Sequence, residues 1–153
     1  MKGSLDDDDP ATIHYAQQTA ISKGVVREVH PEYRDKGMLS FPCFRTDARF
    51  DPGMSGGPIF DETGNVIGVV SASSGTLDSS SHTSYGSLIW PIFGCTIEIA
   101  PDPSSKPIVT LIHDLAVGGH IRTDSTFKLV SVQTSSSGER TVRLEIPIGS
   151  QAV

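Results

Sequence analysis

The chain has little cysteine, no long apolar run and no excess of positive charge, and each lack removes a class of function. There are two cysteines in 153 residues, Cys43 and Cys95. They form no CxxC pair and no histidine cluster lies beside them, so neither a zinc site nor any other cofactor is expected. A disulfide would need the fold to bring the two together; buried free thiols are the expected state. No apolar stretch approaches the length of a membrane span. The N-terminus lacks a basic segment followed by an apolar one, so no signal peptide is evident and a cytoplasmic location is the default expectation. Lys and Arg number 12 against 18 Asp and Glu, a formal net charge of −6. A nucleic-acid binder would carry a basic stripe, so nucleic acid is not an expected partner.

Punctuation, by contrast, is plentiful. The 15 glycines and 10 prolines, with abundant serine, favour short strands joined by turns over long helices. The length suits one domain, or one domain with an appendage. Asp6 to Asp9 form a run of aspartates before Pro10. Like charges in a row repel and stay solvated, so residues 1–20 read as a disordered acidic tail. A calcium site would need its oxygens spaced around a turn instead.

The apolar pattern then predicts strands. Residues 21–30 carry Ile21, Val25, Val26 and Val29, with Gly24 as a bulge. Residues 31–37 are polar and connect to strand character over 38–46. Asp51-Pro52-Gly53 is a turn signal, Pro58–Phe60 a short apolar run, and Thr63-Gly64-Asn65 a hairpin turn. Val66-Ile67-Gly68-Val69-Val70 is a continuous apolar run, as in a strand buried on both faces. A Ser/Gly-rich loop over 73–84 leads to a strand over 85–92. Short strands at short intervals point to a small antiparallel barrel or sandwich. Residues 100–107 read as a Pro/Ser linker. Apolar residues at 108, 109, 111, 112 and 115 have helical spacing, with Gly118 and Gly119 as a cap. Residues 127–132 and 140–146 flank Ser135-Ser136-Ser137-Gly138 and read as a terminal β-hairpin.

The chemistry concentrates in Gly53-Met54-Ser55-Gly56-Gly57-Pro58. Acyl transfer needs a hydroxyl that can reach a carbonyl carbon, and backbone N–H groups aimed at the oxyanion that forms. A tight loop with glycines on both sides of a serine supplies both. Gly53 lets its own amide and that of Ser55 converge, and Gly56 and Gly57 keep side chains out of the way.

This segment resembles the G-x-S-G-G-P signature of trypsin-like serine peptidases. Thr46-Asp47-Ala48, Phe50 and Pro52-Gly53 upstream are similar to the bacterial HtrA-like branch, and Gly64–Val69 looks like the strand that follows the nucleophile loop. The resemblance covers roughly residues 21–99. It implies an all-β fold, the six-stranded antiparallel second barrel of the trypsin type, followed by a short helix and hairpin over 108–153. It implies Ser55 as nucleophile and the amides of Gly53 and Ser55 as oxyanion hole. Ser71, Ala72 and Ser73 would be the strand edge that pairs with an extended polypeptide substrate, a form of β-augmentation. Arg49 would fall near the base of the primary specificity pocket. Met54 stands where vertebrate members carry an aspartate that pairs with a newly cut N-terminus, so activation of that kind is not expected.

A serine hydroxyl also needs a base, usually a histidine oriented by a carboxylate. In the family both precede the serine, on a first barrel. Here 54 residues precede Ser55, and neither His14 nor His30 has the family's context. His82, His113 and His120 lie downstream. Loss of the base from such a triad costs on the order of a millionfold in turnover. Two readings stay open. The chain is a truncated or half enzyme, whose His and Asp come from a partner chain or a missing N-terminal barrel; or it is a non-catalytic peptide-binding or scaffold module, with 108–146 covering the exposed face.

Overall fold

A computed structural model describes residues 2–6, 9–16, 19–74, 82–100 and 102–145, the first two stretches by their backbone alone. Among the described residues the regular structure is mostly strand, with one α-helix of six residues, so the all-β expectation is met. It divides into two compact units, Met1–Ile59 with Gly68–Ser87, and Phe60–Ile67 with Leu88–Val153. No helix among the described residues is long and apolar enough to cross a membrane.

In the first unit, β1 (Lys2–Asp6) and β2 (Asp9–Ala16) form an antiparallel hairpin with Lys2 opposite Ala16. It makes a two-stranded sheet of its own, within the segment read from composition as a tail. The main sheet holds β3 (Val26–His30), β4 (Cys43–Thr46), β5 (Pro58–Phe60), β6 (Val66–Ser74) and β7 (Thr83–Leu88), in the order β3-β4-β7-β6-β5. Phe44 in β4 stands opposite Val29 on one side and Gly86 on the other.

That position explains the centre of the sheet. The Phe44 ring is 2 % exposed and lies against the backbones of β6 and β7. A Cβ at Gly68 would sit 2.8 Å from Phe44 Cε1, and one at Gly86 2.7 Å from Cζ. Glycine at both positions is therefore a matter of room for the ring. The first unit holds two further buried clusters. Leu39, Cys43 and Tyr85 pack with Phe41 and Ala72; Ala48, Phe50 and Val70 pack with Met54 and Ile59. The Arg34 guanidinium stacks 4.7 Å from the centroid of Tyr85.

The sheet is open, whereas the resemblance implied a closed barrel of six strands. Its edge strands are β3 and β5; β5 has three residues and begins with Pro58, and the β3–β4 register shifts between Val26 and Glu28.

The second unit carries β8 (Thr96–Ile99) paired with β9 (Ile108–Leu111), α1 (Ile112–Val117), and β10 (Val130–Thr134) paired with β11 (Arg140–Leu144). The predicted terminal hairpin is present, with Val130 opposite Leu144. The helix expected from Ile108 starts at Ile112, because the β-branched run Ile108-Val109-Thr110 pairs with β8 first. Residues 102–107, in the segment read as a linker, belong to the β8–β9 connection. The strand expected over 85–92 ends at Leu88, and a 3-10 turn containing Pro91 follows. Both cysteines are free thiols. Cys43 is buried, and burial pushes its thiol pKa up; Cys95 is exposed, contrary to the expectation for it.

Candidate active site

The approach to Ser55 is pinned by polar side chains. Thr46 Oγ1 donates to Val25 O at 3.0 Å and accepts the Ala48 N–H at 3.1 Å. Asp47 Oδ1 accepts the Val25 N–H at 2.6 Å, and its other oxygen accepts Arg27 Nε at 2.8 Å. The Val25 amide, and then Arg27, hold the Asp47 carboxyl below the usual carboxylate range. Ala48 and Phe50 turn inward as part of the core. The Phe50 N–H donates to Ser84 Oγ at 3.3 Å, and Ser84, fully buried, also bonds His82 Nε2 at 2.9 Å.

Two consecutive turns then form the loop. Met54 N–H donates to Asp51 O at 3.1 Å, with Pro52 second and Gly53 third at φ 95°. Gly57 N–H donates to Met54 O at 2.9 Å, with Ser55 second and Gly56 third at φ 83°. A positive φ at the third position is the type II pattern, and proline fits its second position. A Cβ at Gly53 or Gly56 would meet nothing within 4 Å, so backbone conformation alone requires glycine there. The loop is clamped to β6 at both ends of one residue: Gly56 N–H donates to Val70 O and Val70 N–H to Gly57 O, each at 2.9 Å. From inside, Met54 packs on Ala48, Phe50 and Val70, and its Sδ accepts the Asp51 N–H at 3.3 Å.

This leaves a particular set of groups unused. Met54, Gly56 and Gly57 amides are bonded within the chain, whereas those of Gly53 and Ser55 find no acceptor among the described residues. Ser55 is exposed, and its hydroxyl has no hydrogen-bond partner among the described residues. An exposed hydroxyl beside two unbonded amides, in a loop fixed by its own hydrogen bonds, has the components that tetrahedral-intermediate chemistry uses.

The other predicted residues fall around this loop as follows. β6 has nine residues and β5 three, so Ser71–Ser74 run past the β5 partner just beyond the Val70 clamp. Ser71 Oγ bonds Ser87 Oγ and accepts the Ser87 N–H at 3.1 Å. Ala72 packs on Leu39, Cys43 and Tyr85, and Ser73 is exposed. Arg49 Nε donates to Asp51 Oδ1 at 2.6 Å on the surface, so its cation is engaged by the loop's own carboxylate.

Among the described residues no histidine side chain is hydrogen-bonded to Ser55, and the buried His30 Nε2 and His113 Nδ1 have no hydrogen-bond partner there. His30 Nε2 lies 3.7 Å from Glu28, beyond hydrogen-bond range, and His82 bonds Ser84. His113 packs 5.3 Å from the Phe127 ring in the second unit, where His120 is exposed. The His14 side chain and residues 75–81 of the Ser/Gly-rich loop lie outside the described residues. Sequence reasoning missed Met54 and Val70 as the holders of the loop; a lone large apolar residue inside a glycine-rich turn was the available signal.

The model of one family, the trypsin-like peptidase domain, matches residues 6–69 of the chain. The match takes in the approach strand, Ser55 with its glycines, and β6 as far as Val69, and it ends before Ser71. It supports a trypsin-like character for this part of the chain. No curated protein and no solved structure matched the chain.

Proposed function

We propose that the chain supplies the nucleophile side of a serine endopeptidase of the trypsin type, in its HtrA-like branch. The observation that carries this is the pair of type II turns that leaves Gly53 and Ser55 amides unbonded next to an exposed Ser55. In the reaction, Ser55 Oγ attacks the peptide carbonyl carbon while its proton passes to a base. The carbonyl oxygen becomes an oxyanion, held by the Gly53 and Ser55 amides. The C–N bond then breaks, the amine leaves with the proton, and water releases the acyl group by the same route in reverse. Ser71, Ala72 and Ser73 pair with the extended substrate backbone beside the loop, with Arg49 near the specificity pocket once a ligand competes with Asp51.

The base and its carboxylate come from outside this chain, from a partner or from a first barrel that closes the open sheet. The exposure of Val26 and Val29 along the edge strand β3, at 42 % and 54 %, supports an apolar neighbour there. A second reading, a peptide-binding module without catalysis, is favoured by one observation: Ser55 Oγ has no histidine partner among the described residues.

The test is labelling of the purified chain with a fluorophosphonate probe, with Ser55→Ala as control. Labelling that appears once a barrel bearing His and Asp is added, and that Ser55→Ala abolishes, supports the proposal; labelling of the chain alone would support the nucleophile but overturn the outside origin of the base. Absence of labelling in the folded chain, persisting when a barrel bearing His and Asp is added, sinks the enzymatic reading and leaves the module.

A further inference from the structure

We infer that Met54 is the positioning residue of the Ser55 loop, holding it by its half-buried packing and a thioether hydrogen bond. The inference rests on the reading of Ser55 as the acylated residue. Met54 is the hinge shared by the two turns: it closes the first through its N–H to Asp51 O and opens the second through its C=O from Gly57 N–H. Its side chain is the loop's one apolar insertion into the Ala48, Phe50 and Val70 cluster. The cluster it packs against contains Phe50, which precedes the loop, and Val70, whose amide and carbonyl clamp it. Its Sδ accepts the N–H of Asp51, the first residue of the same turn.

One side chain therefore fixes both turns at once, and the amides of Gly53 and Ser55 lie one residue to either side of it. Sulfur is a weak acceptor and the apolar contacts carry no net charge. The Met54 contacts are therefore insensitive to salt and to pH, unlike the exposed Arg49–Asp51 pair on the same turn.

Hydrogen exchange and 15N–1H spectra of the intact chain test this with Met54→Ala and Met54→Leu. Met54→Ala should speed exchange of the Gly56 and Gly57 amides by about tenfold or more, with β4 and β7 amides unchanged, and should move the Gly53 and Ser55 resonances. Met54→Leu, which keeps the burial, should return those resonances and the Gly56 and Gly57 rates towards wild type. It should still speed exchange at Asp51, whose N–H loses its acceptor. Unchanged Gly56 and Gly57 rates in Met54→Ala, or an equal rise across the whole sheet, would overturn the inference. If Met54→Ala does not fold, the Asp51 amide in Met54→Leu decides alone: no change there refutes it. None of these readouts needs a base or a substrate. A failed fluorophosphonate experiment therefore counts against the enzymatic reading without touching the loop.

Discussion

Replacing Gly86 by alanine probes the packing that carries the candidate site. The new Cβ would lie 2.7 Å from Phe44 Cζ, 3.0 Å from Phe44 Cε1 and 2.5 Å from Ile59 Cδ1. The Ile59 contact is the far end of a flexible side chain and can rotate away. The Phe44 ring has no such freedom, because the Gly68 backbone crowds it from β6, where a Cβ would stand 2.8 Å from Cε1. Forcing extra volume into a packed core costs about 1–3 kcal/mol, and the absence of an escape route places Gly86→Ala in the upper part of that range. Phe44→Leu alone removes roughly three buried carbons and should cost about 2 kcal/mol. It also removes the atoms that the alanine strikes. The double variant should thus be more stable than the sum of the two singles by about 1 kcal/mol or more. Urea unfolding followed by far-ultraviolet circular dichroism reads this, with equal slopes required across the four proteins. Additivity within about 0.5 kcal/mol would refute the placement of the ring between the two strands.

Three further outcomes are expected. Gly53→Ala or Gly56→Ala should cost about 1–2 kcal/mol from positive φ alone, since no neighbour is struck; an unchanged melting temperature together with unchanged loop amide shifts would contradict the two turns. The Asp114 carboxyl is drawn down to about 2 by the Arg140 guanidinium, its bidentate partner at 2.7 and 2.8 Å. Its folded pKa is below the unfolded one, so its contribution is present above about pH 4 and is lost as pH falls through about 2. Asp114→Asn should therefore narrow the stability difference between neutral and acid solution, and equal acid profiles for the two proteins would count against the pair. With a disulfide reagent at pH 8, Cys95 should react at once and Cys43 only on unfolding; two fast thiols would mean that β4 is not buried.

Much of the sheet and the loop was legible because local chemistry dictates them. Asp51-Pro52-Gly53 and the glycines around Ser55 demand turns wherever they stand, and the apolar run from Val66 forms the expected strand, although Val66 is exposed and only Gly68 and Val70 of the run are buried. What was not legible depends on contacts distant in sequence. Nothing near Gly24 announces that its backbone presses on Ala48, and nothing near Ser84 announces that its hydroxyl takes the Phe50 N–H. The misplaced helix start is a different case. The residues from Ile108 to Leu115 satisfy a helical period, but β-branching at Ile108, Val109 and Thr110 favoured a strand, and β8 was there to accept it. Barrel closure was the resemblance's implication, and closure depends on pairings distant in sequence that no local pattern announces.

The overhang of β6 beyond β5 has a consequence for how the protein avoids its own kind. An unpaired strand end is a template on which any extended chain, including another copy, can assemble. Here that end reads Ser71-Ala72-Ser73-Ser74, side chains too small to bury much area against a second sheet. Self-assembly along it would gain main-chain hydrogen bonds and little else. A segment that also places a carbonyl within reach of the Gly53 and Ser55 amides would gain both. Under the proposed function, the edge would favour a strand that also engages the neighbouring loop.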